Sequence, residues 1–199
     1  MGPQPLKTDE TRLLQACRTG DAQALDLFYR THVDRVAGVL GRLVGPTPDL
    51  EDLVQATFAQ ALQSLTRFRG ESSLSTWVIR IGVHLAAHHL RRGLRRPVAL
   101  EVLSDHDELS DPRAPADREL DARRLAHRID GLLDSLSPKR RIALLLYVVE
   151  GYSVDEVAAL TGASRAATKS RIWFARRQLL KLARRDPVLR AIAPRREAG

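Results

Sequence analysis

Apolar residues recur every three or four positions along most of the chain, which places them on one face of successive helices. No segment alternates apolar and polar residues in the way that a half-buried strand does. The pattern therefore predicts an all-α fold made of two helical domains. The longest stripe comprises Leu50, Leu53, Val54, Thr57, Phe58, Ala61, Leu62 and Leu65.

Turn residues divide the first helical domain, residues 8–96, into separate helices. Thr19-Gly20-Asp21 predicts a break between two of them, with Asp21 as the N-cap of the second. Gly45-Pro46-Thr47-Pro48 ends that second helix, and Asp49 is positioned to cap the next one.

A loop and an acidic segment follow. Phe68–Ser73 predicts the loop, and Ser75 or Thr76 then opens the last helix of the first domain. Residues 97–117 combine acidic residues and prolines with few apolar ones, so they predict a flexible acidic linker. This linker leads to a second helical domain at residues 118–185, and residues 186–199 form a basic tail.

The second domain contains the pattern of a helix-turn-helix. Ser137-Pro138 opens one helix, because proline is tolerated at the first helical position. Ser153-Val154-Asp155-Glu156 then reads as a capping box, in which the serine and the glutamate each accept from the other's backbone N–H. Gly162 supplies the left-handed residue of a tight turn, and Ser164 caps the second helix of the motif.

The positive charge is concentrated in two segments. The chain has 199 residues, with 32 Lys and Arg against 24 Asp and Glu, which gives a net charge of +8. Arg67–Pro97 holds seven Arg and one Glu, and Thr161–Gly199 holds 11 basic and two acidic residues. Val98–Asp121, between them, is acidic. Two basic segments that each coincide with a motif favour contacts with nucleic acid over solvated helix faces.

The composition also excludes several classes of protein. The longest apolar run, Ile142–Val149, is eight residues long, whereas a membrane span needs about 20, so no membrane insertion is expected. No basic segment followed by an apolar stretch begins the chain, so no secretory signal is expected. Cys17 is the single cysteine, which excludes an internal disulfide and predicts a small buried thiol. The expected compartment is the cytoplasm.

No motif of an enzyme or a metal site is present in the sequence. It lacks G-x-S-x-G, Walker and G-x-G-x-x-G patterns. His84 and His88 lie four residues apart, as zinc ligands on one helix face can, and His89 is adjacent. However, no cysteine is near and no catalytic glutamate lies between the two. We expect no catalytic activity, no metal and no cofactor.

The second helix of the helix-turn-helix carries the candidates for contact with duplex DNA. A helix of this kind enters the major groove with basic and short polar side chains near its N-terminus. Arginine pairs with guanine edges, whereas lysine and serine mostly contact phosphates. An ordinary helical hairpin with a basic face is the alternative. The side chains in question are Arg165, Lys169, Ser170, Arg171, Arg176 and Arg177.

The first domain has two candidate binding features: a polar face on one helix and an aromatic residue among arginines. Glu51, Asp52 and Gln55 lie on the polar side of the long amphipathic helix, a face that either docks another protein or is solvated. Trp77 stands among arginines, which suits single-stranded DNA because bases stack on aromatic rings while cations neutralise phosphates. The alternative for Trp77 is a core aromatic at helical spacing.

Taken together, the motifs of the two domains resemble the extracytoplasmic-function (ECF) sigma factors of bacterial RNA polymerase. The first domain is similar to their region 2 in Glu51–Phe58, Phe68–Ser73, Thr76-Trp77 and Leu90–Arg92. The second is similar to their region 4 in Leu133–Pro138, Glu150–Ser153, Glu156–Ala158, Lys169–Arg171 and Ala175-Arg176. The order and spacing of the motifs match from about Leu25 to Leu182.

This resemblance implies partners and contact residues. In the family, region 2 docks on the β′ clamp helices of core RNA polymerase, which here implies Glu51, Asp52 and Gln55. Region 2 also grips the non-template strand of the −10 promoter element, which implies Phe68, Arg69, Ser72, Ser73, Trp77, Arg80, His84, Arg91 and Arg92. Region 4 binds the −35 element and touches the β flap, and the −35 residues implied are Ser164, Arg165, Ala166, Thr168, Lys169, Ser170, Arg171 and Arg176.

The implied function is that of an alternative sigma factor, which directs core polymerase to a specific gene set and is held in check by an anti-sigma factor. The sequence departs from the family pattern at Ala56, where an acidic residue is common, and at His84 and His88, where Asn and Asp are frequent. Ala166-Ala167-Thr168 replaces a usual Gly-Thr-Val. Two other classes stay open: a stand-alone helix-turn-helix regulator and a nucleic-acid-modifying enzyme.

Overall fold

The computed structural model describes residues 8–93 and 115–192, and within them every regular element is a helix. The all-α prediction is thereby confirmed. The elements, in chain order, are α1 (Thr8–Arg18), α2 (Ala22–Val44), α3 (Leu50–Ser64), a short 3₁₀ turn (Leu65–Arg67), α4 (Leu74–Gly93), α5 (Pro115–Asp134), α6 (Pro138–Val148), α7 (Val154–Thr161), α8 (Arg165–Ala183) and α9 (Pro187–Ile192).

Helix starts follow the local capping chemistry, with two corrections. Asp21 caps α2 as predicted, because its side chain accepts a hydrogen bond from Ala24 N at 2.9 Å. Asp49 occupies the N-cap position of α3, but its side chain makes no capping hydrogen bond. Helix α4 begins earlier than predicted, at Leu74, because Ser73 Oγ accepts from Thr76 N at 3.2 Å and so serves as the cap.

Helices α1–α4 form an N-terminal bundle, in which α2, α3 and α4 pack against one another and α1 lies on α2. Its core holds Phe28, Leu40, Leu43, Leu74 and Ile79, each at most 1% exposed. Cys17 is a buried thiol in this core, as predicted, and burial raises its pKa.

Helix α4 passes close to α2 and α3 at a glycine. A β-carbon built on Gly82 of α4 would lie 3.0 Å from Cδ2 of Leu40 and 3.4 Å from Cγ2 of Thr57. A larger residue there would push α4 away from α2 and α3.

Helices α5–α9 form a C-terminal bundle, in which α6 packs on α8 and α7 packs on both. Leu146, Val157, Leu160 and Ala175 fill its core, each at most 1% exposed. Helix α9 returns against α8 and buries Leu189. Asp186 accepts from the backbone N–H groups of Val188 and Leu189 and so caps this last helix.

The two bundles pack on each other in a single continuous core. Helix α4 contacts α6 and α7, and α2 contacts α6. The sequence pattern predicts two domains and a linker, but it does not predict this contact, because the residues that meet are about a hundred positions apart in the chain.

Parts of the predicted linker and tail lie in helices. Helix α5 begins at Pro115, within the segment 97–117, and α9 occupies residues 187–192 of the segment 186–199. Residues 94–114, which include most of that linker, and residues 193–199 of the tail lie outside the described residues.

Candidate nucleic-acid and polymerase interfaces

Helices α7 and α8 form a helix-turn-helix, and reciprocal hydrogen bonds fix the start of its first helix, α7. Ser153 N donates to Glu156 Oε2 at 2.8 Å, while Glu156 N donates to Ser153 Oγ at 3.3 Å. These hydrogen bonds hold the pKa of Glu156 below its usual value. Gly162 ends α7 with φ of +61°, and Ser164 caps α8 by accepting from Ala167 N at 3.2 Å.

The outward face of α8 collects most of the predicted −35 residues. Two of the arginines among them have charged or aromatic partners: Arg165 pairs with Asp155 of α7 at 3.1 Å, and the Arg176 guanidinium lies 5.2 Å from the centroid of the Tyr147 ring. Arg171 is half-buried at the edge of the face. The exposed members are Ser164, Arg165, Ala166, Lys169, Ser170 and Arg176.

Thr168 was predicted to contact DNA, and the structure corrects this assignment. Its side chain is fully buried, and Oγ1 donates to the backbone O of Ser164 at 3.0 Å. Thr168 lies one helical turn before Ile172, which is also buried, so both belong to the core stripe of α8. It stabilises the start of the helix and has no access to a base.

Trp173 lies on the exposed face of α8 and was missed by the sequence analysis. It is 52% exposed, and the Arg177 guanidinium lies 5.2 Å from the centroid of its ring. Since it follows Ala166 by seven residues, about two helical turns, it continues the line of the candidate DNA contacts. The sequence does contain an indication of this position: Trp173 is a large aromatic residue that does not fall on the buried face of α8 with Ile172 and Ala175.

The predicted −10 loop begins with a buried aromatic. Phe68 is only 7% exposed, and its ring packs on Trp77 with the centroids 4.8 Å apart. The structure therefore corrects Phe68 as a direct DNA contact, because its ring is enclosed by the bundle. Trp77 is half-buried: part of its ring packs on Phe68 in the bundle, and part is accessible from the surface.

The remaining −10 candidates line the loop and one side of α4. Ser73 is committed to capping α4, and its Oγ also lies 2.9 Å from Thr76 Oγ1. Arg80 is half-buried, and its Nε has no hydrogen-bond partner within the described part of the chain. The other candidates are Arg69, His84, Arg91 and Arg92, which are exposed, and Ser72, which is half-buried.

Arg18, at the end of α1, binds the backbone at the start of this loop, a role that the sequence pattern did not predict. Arg18 Nε donates to Leu65 O at 3.3 Å, and Nη2 donates to Phe68 O. A basic residue at the end of a short helix gives no local indication of contacts 47 and 50 residues away.

The predicted polymerase-binding residues Glu51, Asp52 and Gln55 are all exposed on α3. Gln55 Nε2 donates to Glu51 Oε1 at 3.3 Å, which orients both side chains. Asp52 lines an open groove of about 920 Å³ between the start of α3 and the end of α4, shared with Ala56 and Arg92. The structure thus brings a predicted polymerase contact and a predicted −10 contact to the walls of one groove.

A second groove, of about 650 Å³, lies on the C-terminal bundle between α5, α6, α8 and α9. Its lining is largely apolar and includes Leu132, Leu145, Val148, Leu179 and Leu180. Four partly exposed apolar residues line this surface and are 43–53% exposed: Ile129, Val148, Val149 and Leu180.

Neither a metal cluster nor a membrane span is found in the described segments. Among residues 8–93 and 115–192, no group of three or more His, Cys, Asp or Glu side chains is arranged to hold a metal ion. His89 Nδ1 instead lies 3.8 Å from Asp49 Oδ2. Within the same ranges, none of the helices has the length and apolar character needed to cross a membrane.

Two family models match the chain in the order of its two bundles. Sigma-70 region 2 matches residues 28–96, and Sigma-70, region 4 matches residues 126–179. The first match covers α3, the loop and α4, and the second covers the helix-turn-helix.

Curated relatives match along nearly the whole chain. The ECF RNA polymerase sigma-E factor of Escherichia coli K12 is 31% identical over 176 residues, which are 85% of this chain and 91% of that protein. The RNA polymerase sigma-H factor of Pseudomonas aeruginosa is 28% identical over 188 residues, which are 91% of this chain and 96% of that protein.

Solved structures share the fold. CnrH, solved in complex with the cytosolic domain of CnrY, superposes with a TM-score of 0.63 at 25% identity, covering 89% of this chain and 98% of that one. The sigma factor RpoE of Bartonella quintana, solved with the anti-sigma factor NepR, superposes with a TM-score of 0.54 at 24% identity, covering 79% and 95%.

Proposed function

We propose a division of labour between the two bundles of this chain, which belongs to the ECF group of the sigma-70 family of RNA polymerase sigma factors. As a sigma factor, it binds core RNA polymerase, recognises promoter DNA and directs transcription initiation. The relatives favour this function over that of a stand-alone helix-turn-helix regulator.

The C-terminal bundle binds the −35 element through α8. This proposal is carried by one observation: the short polar and basic side chains of α8 share an exposed face, directly after a turn in which Gly162 is left-handed and Ser164 caps α8. That face presents Arg165, Lys169 and Ser170 to a major groove. The apolar groove beside α8 receives the β flap of the polymerase.

The N-terminal bundle binds the polymerase and the separated −10 strand. The exposed carboxylates Glu51 and Asp52, with Gln55, form the contact with the β′ clamp helices. Arg69, Arg80, Arg91 and Arg92 neutralise phosphates of the non-template strand, and the accessible part of Trp77 stacks on a base. The buried ring of Phe68 packs against the Trp77 ring on the side of the core and so positions it.

Regulation and location follow from the same family. An anti-sigma factor binds this protein and prevents its association with core polymerase; the solved relative from Bartonella quintana was captured in such a complex. The protein acts in the cytoplasm, where the polymerase is. It carries out no bond-forming chemistry, because the polymerase catalyses nucleotide addition.

Run-off transcription tests the proposal. Purified core polymerase is supplied with a pool of genomic promoter fragments, with and without the protein. Discrete transcripts that require the protein are expected. The absence of transcripts, together with sequence-specific DNA binding by the protein alone, would instead identify a stand-alone regulator.

A further inference from the structure

Helix α1 ends beside the loop that is assigned to the −10 strand. Leu14 and Cys17, each 5% exposed, anchor this helix in the core of the N-terminal bundle. Gly20 closes its last turn, with a φ of +81° and its N–H donating to Cys17 O at 3.2 Å. Arg18 therefore extends from a fixed backbone, and its side chain reaches the 3₁₀ turn that leads into the loop.

The Arg18 side chain binds two backbone carbonyls, one at each end of that turn. Its Nε donates to Leu65 O at 3.3 Å, and its Nη2 donates to Phe68 O. Leu65 O also closes the turn, since it accepts from Phe68 N at 3.3 Å. The two Arg18 donors belong to one rigid, planar guanidinium, so they orient both carbonyls together. One side chain thus fixes the end of the turn and the start of the loop.

The anchored carbonyl of Phe68 determines how the next residue is presented. The peptide bond between Phe68 and Arg69 is planar and trans, so its N–H points opposite to its C=O. Because the C=O points at Arg18, the N–H of Arg69 points away from α1. The Phe68 ring in turn packs on Trp77 of α4. Arg18 is thereby connected, through Phe68 alone, to two candidate contacts of the −10 strand, Arg69 and Trp77.

The far end of the loop is fixed independently of α1. Gly70 turns the chain with a φ of +75°, and Ser73 caps α4 by accepting from Thr76 N at 3.2 Å. Loss of the Arg18 contacts would therefore release the start of the loop while leaving its connection to α4 in place.

We propose that Arg18 is a positioning residue for recognition of the −10 strand. It does not bind the DNA; it holds the start of the loop so that Arg69 and Trp77 meet the non-template strand in one arrangement. A loop that is already ordered loses less conformational entropy on binding, so the anchor adds affinity without a contact of its own. This inference rests on the proposed binding of the −10 strand by the N-terminal bundle.

Three single variants of the full-length protein test this role. Arg18→Ala removes both hydrogen bonds. Arg18→Lys keeps the charge and a donor but lacks the fork that reaches both carbonyls, and it serves as the milder variant should Arg18→Ala not fold. Arg12→Ala is the matched control, because Arg12 is also exposed on α1. Urea denaturation establishes that each variant is folded under the conditions of the other measurements.

The fluorescence of Trp77 reports the support of the loop in the absence of DNA. The chain has two tryptophans, so a Trp173→Phe background leaves Trp77 as the single emitter. Arg18→Ala is expected to shift the emission to longer wavelength and to increase quenching by acrylamide, because Phe68 no longer holds the ring. Arg18→Lys is expected to lie between it and the wild type, and Arg12→Ala to match the wild type. Unchanged emission and quenching in both Arg18 variants overturns the anchor.

Binding of single-stranded DNA by the holoenzyme distinguishes positioning from direct contact. The probes are a −10 oligonucleotide from a promoter mapped by run-off transcription and its scrambled counterpart. Arg18→Ala is expected to bind the −10 oligonucleotide up to about tenfold more weakly, with the scrambled affinity and the salt dependence unchanged. Equal weakening on both, with a shallower salt dependence, would make Arg18 a phosphate contact and overturn the positioning role. Unchanged affinity for the −10 oligonucleotide overturns it as well.

A double variant tests whether Arg18 acts through Trp77. The loss of −10 affinity in Arg18→Ala/Trp77→Ala is expected to be smaller than the product of the two single losses, because both substitutions disturb the same contact. Losses that multiply overturn the connection between the two residues. A wild-type holoenzyme without preference for the −10 oligonucleotide overturns the proposed function, while the fluorescence series still decides whether Arg18 holds the loop.

Discussion

The rings of Phe68 and Trp77 pack together with their planes inclined by 31°, and this contact fixes the loop before α4 to the helix itself. Phe68 is buried whereas its neighbour Arg69 is exposed. Two adjacent residues of one predicted DNA-binding loop therefore have different tasks: the first supports the loop, and the second is free to meet a phosphate.

Substitution of this neighbouring pair separates stability from DNA binding. Phe68→Ala is expected to lower the free energy of unfolding by about 3 kcal/mol or more, because it leaves a cavity under Trp77. Arg69→Ala is expected to leave the unfolding free energy within about 0.5 kcal/mol and to weaken binding of single-stranded −10 DNA. Urea denaturation and fluorescence anisotropy measure the two effects. Equal loss of stability in both variants would contradict this division.

Thr168 and Lys169 make a second adjacent pair with different tasks. Thr168→Val keeps the shape but removes the hydrogen bond to Ser164 O, so the expected cost is about 1 kcal/mol of stability with unchanged −35 affinity. Lys169→Ala is expected to weaken binding to all duplex sequences and to reduce the salt dependence by about one unit of slope. Titration of −35 and scrambled duplexes at several salt concentrations checks both. A change of sequence preference in Thr168→Val would contradict its burial.

Local patterns allowed much of this fold to be predicted from the sequence. Helical periodicity and capping residues involve positions at most four apart, and so the sequence predicts the break at Asp21 and the capping box of Ser153 and Glu156. Thr168 shows where care was needed: it is four residues before Ile172, and extending the core stripe by one turn would have placed it inside.

Contacts between distant positions could not be predicted in this way. Arg141 meets Leu43 across 98 residues, and Arg42 meets Glu150 across 108. A single arginine has the same local pattern whether it is solvated or reaches another bundle. The packing of the two bundles is visible only in three dimensions.

Asp52 is expected to contribute directly to binding of the polymerase. Its side chain is exposed on α3, so Asp52→Ala should leave the fold intact. Loss of a charge-assisted contact costs about 1.5–3 kcal/mol, equivalent to a roughly 10- to 100-fold weaker complex with core polymerase. Gln63→Ala, exposed at the far end of the same helix, is the control and should bind as the wild type does. Unchanged affinity in Asp52→Ala would remove this residue from the interface.

The burial of His32 predicts that the free energy of unfolding decreases in mild acid. Burial lowers the pKa of this imidazole below 6.5, and its Nε2 has no hydrogen-bond partner in the described residues. As the pH falls through about 6.5, the unfolded chain takes up a proton that the folded protein resists, so folding stability decreases. His32→Leu removes this dependence. Denaturation of both proteins between pH 5 and 8 should therefore give a steeper slope for the wild type.

An exposed histidine provides the control for that experiment. His127→Gln on α5 removes an exposed histidine in place of the buried one. Should His127→Gln flatten the slope as much as His32→Leu does, the burial of His32 would not be its cause.

The capping glutamate Glu156 predicts a second loss of folding stability, at lower pH. Its hydrogen bonds with Ser153 hold the pKa below the ordinary 4.5, so the folded state favours the carboxylate. The resulting stabilisation is present above about 4.5 and is lost as the pH falls through the lower, folded-state pKa. Glu156→Gln keeps an acceptor for Ser153 N but cannot titrate, so its unfolding free energy should lack this acid-dependent loss. Denaturation between pH 3 and 6 checks it, and Glu71→Gln, which removes an exposed loop carboxylate, is the control.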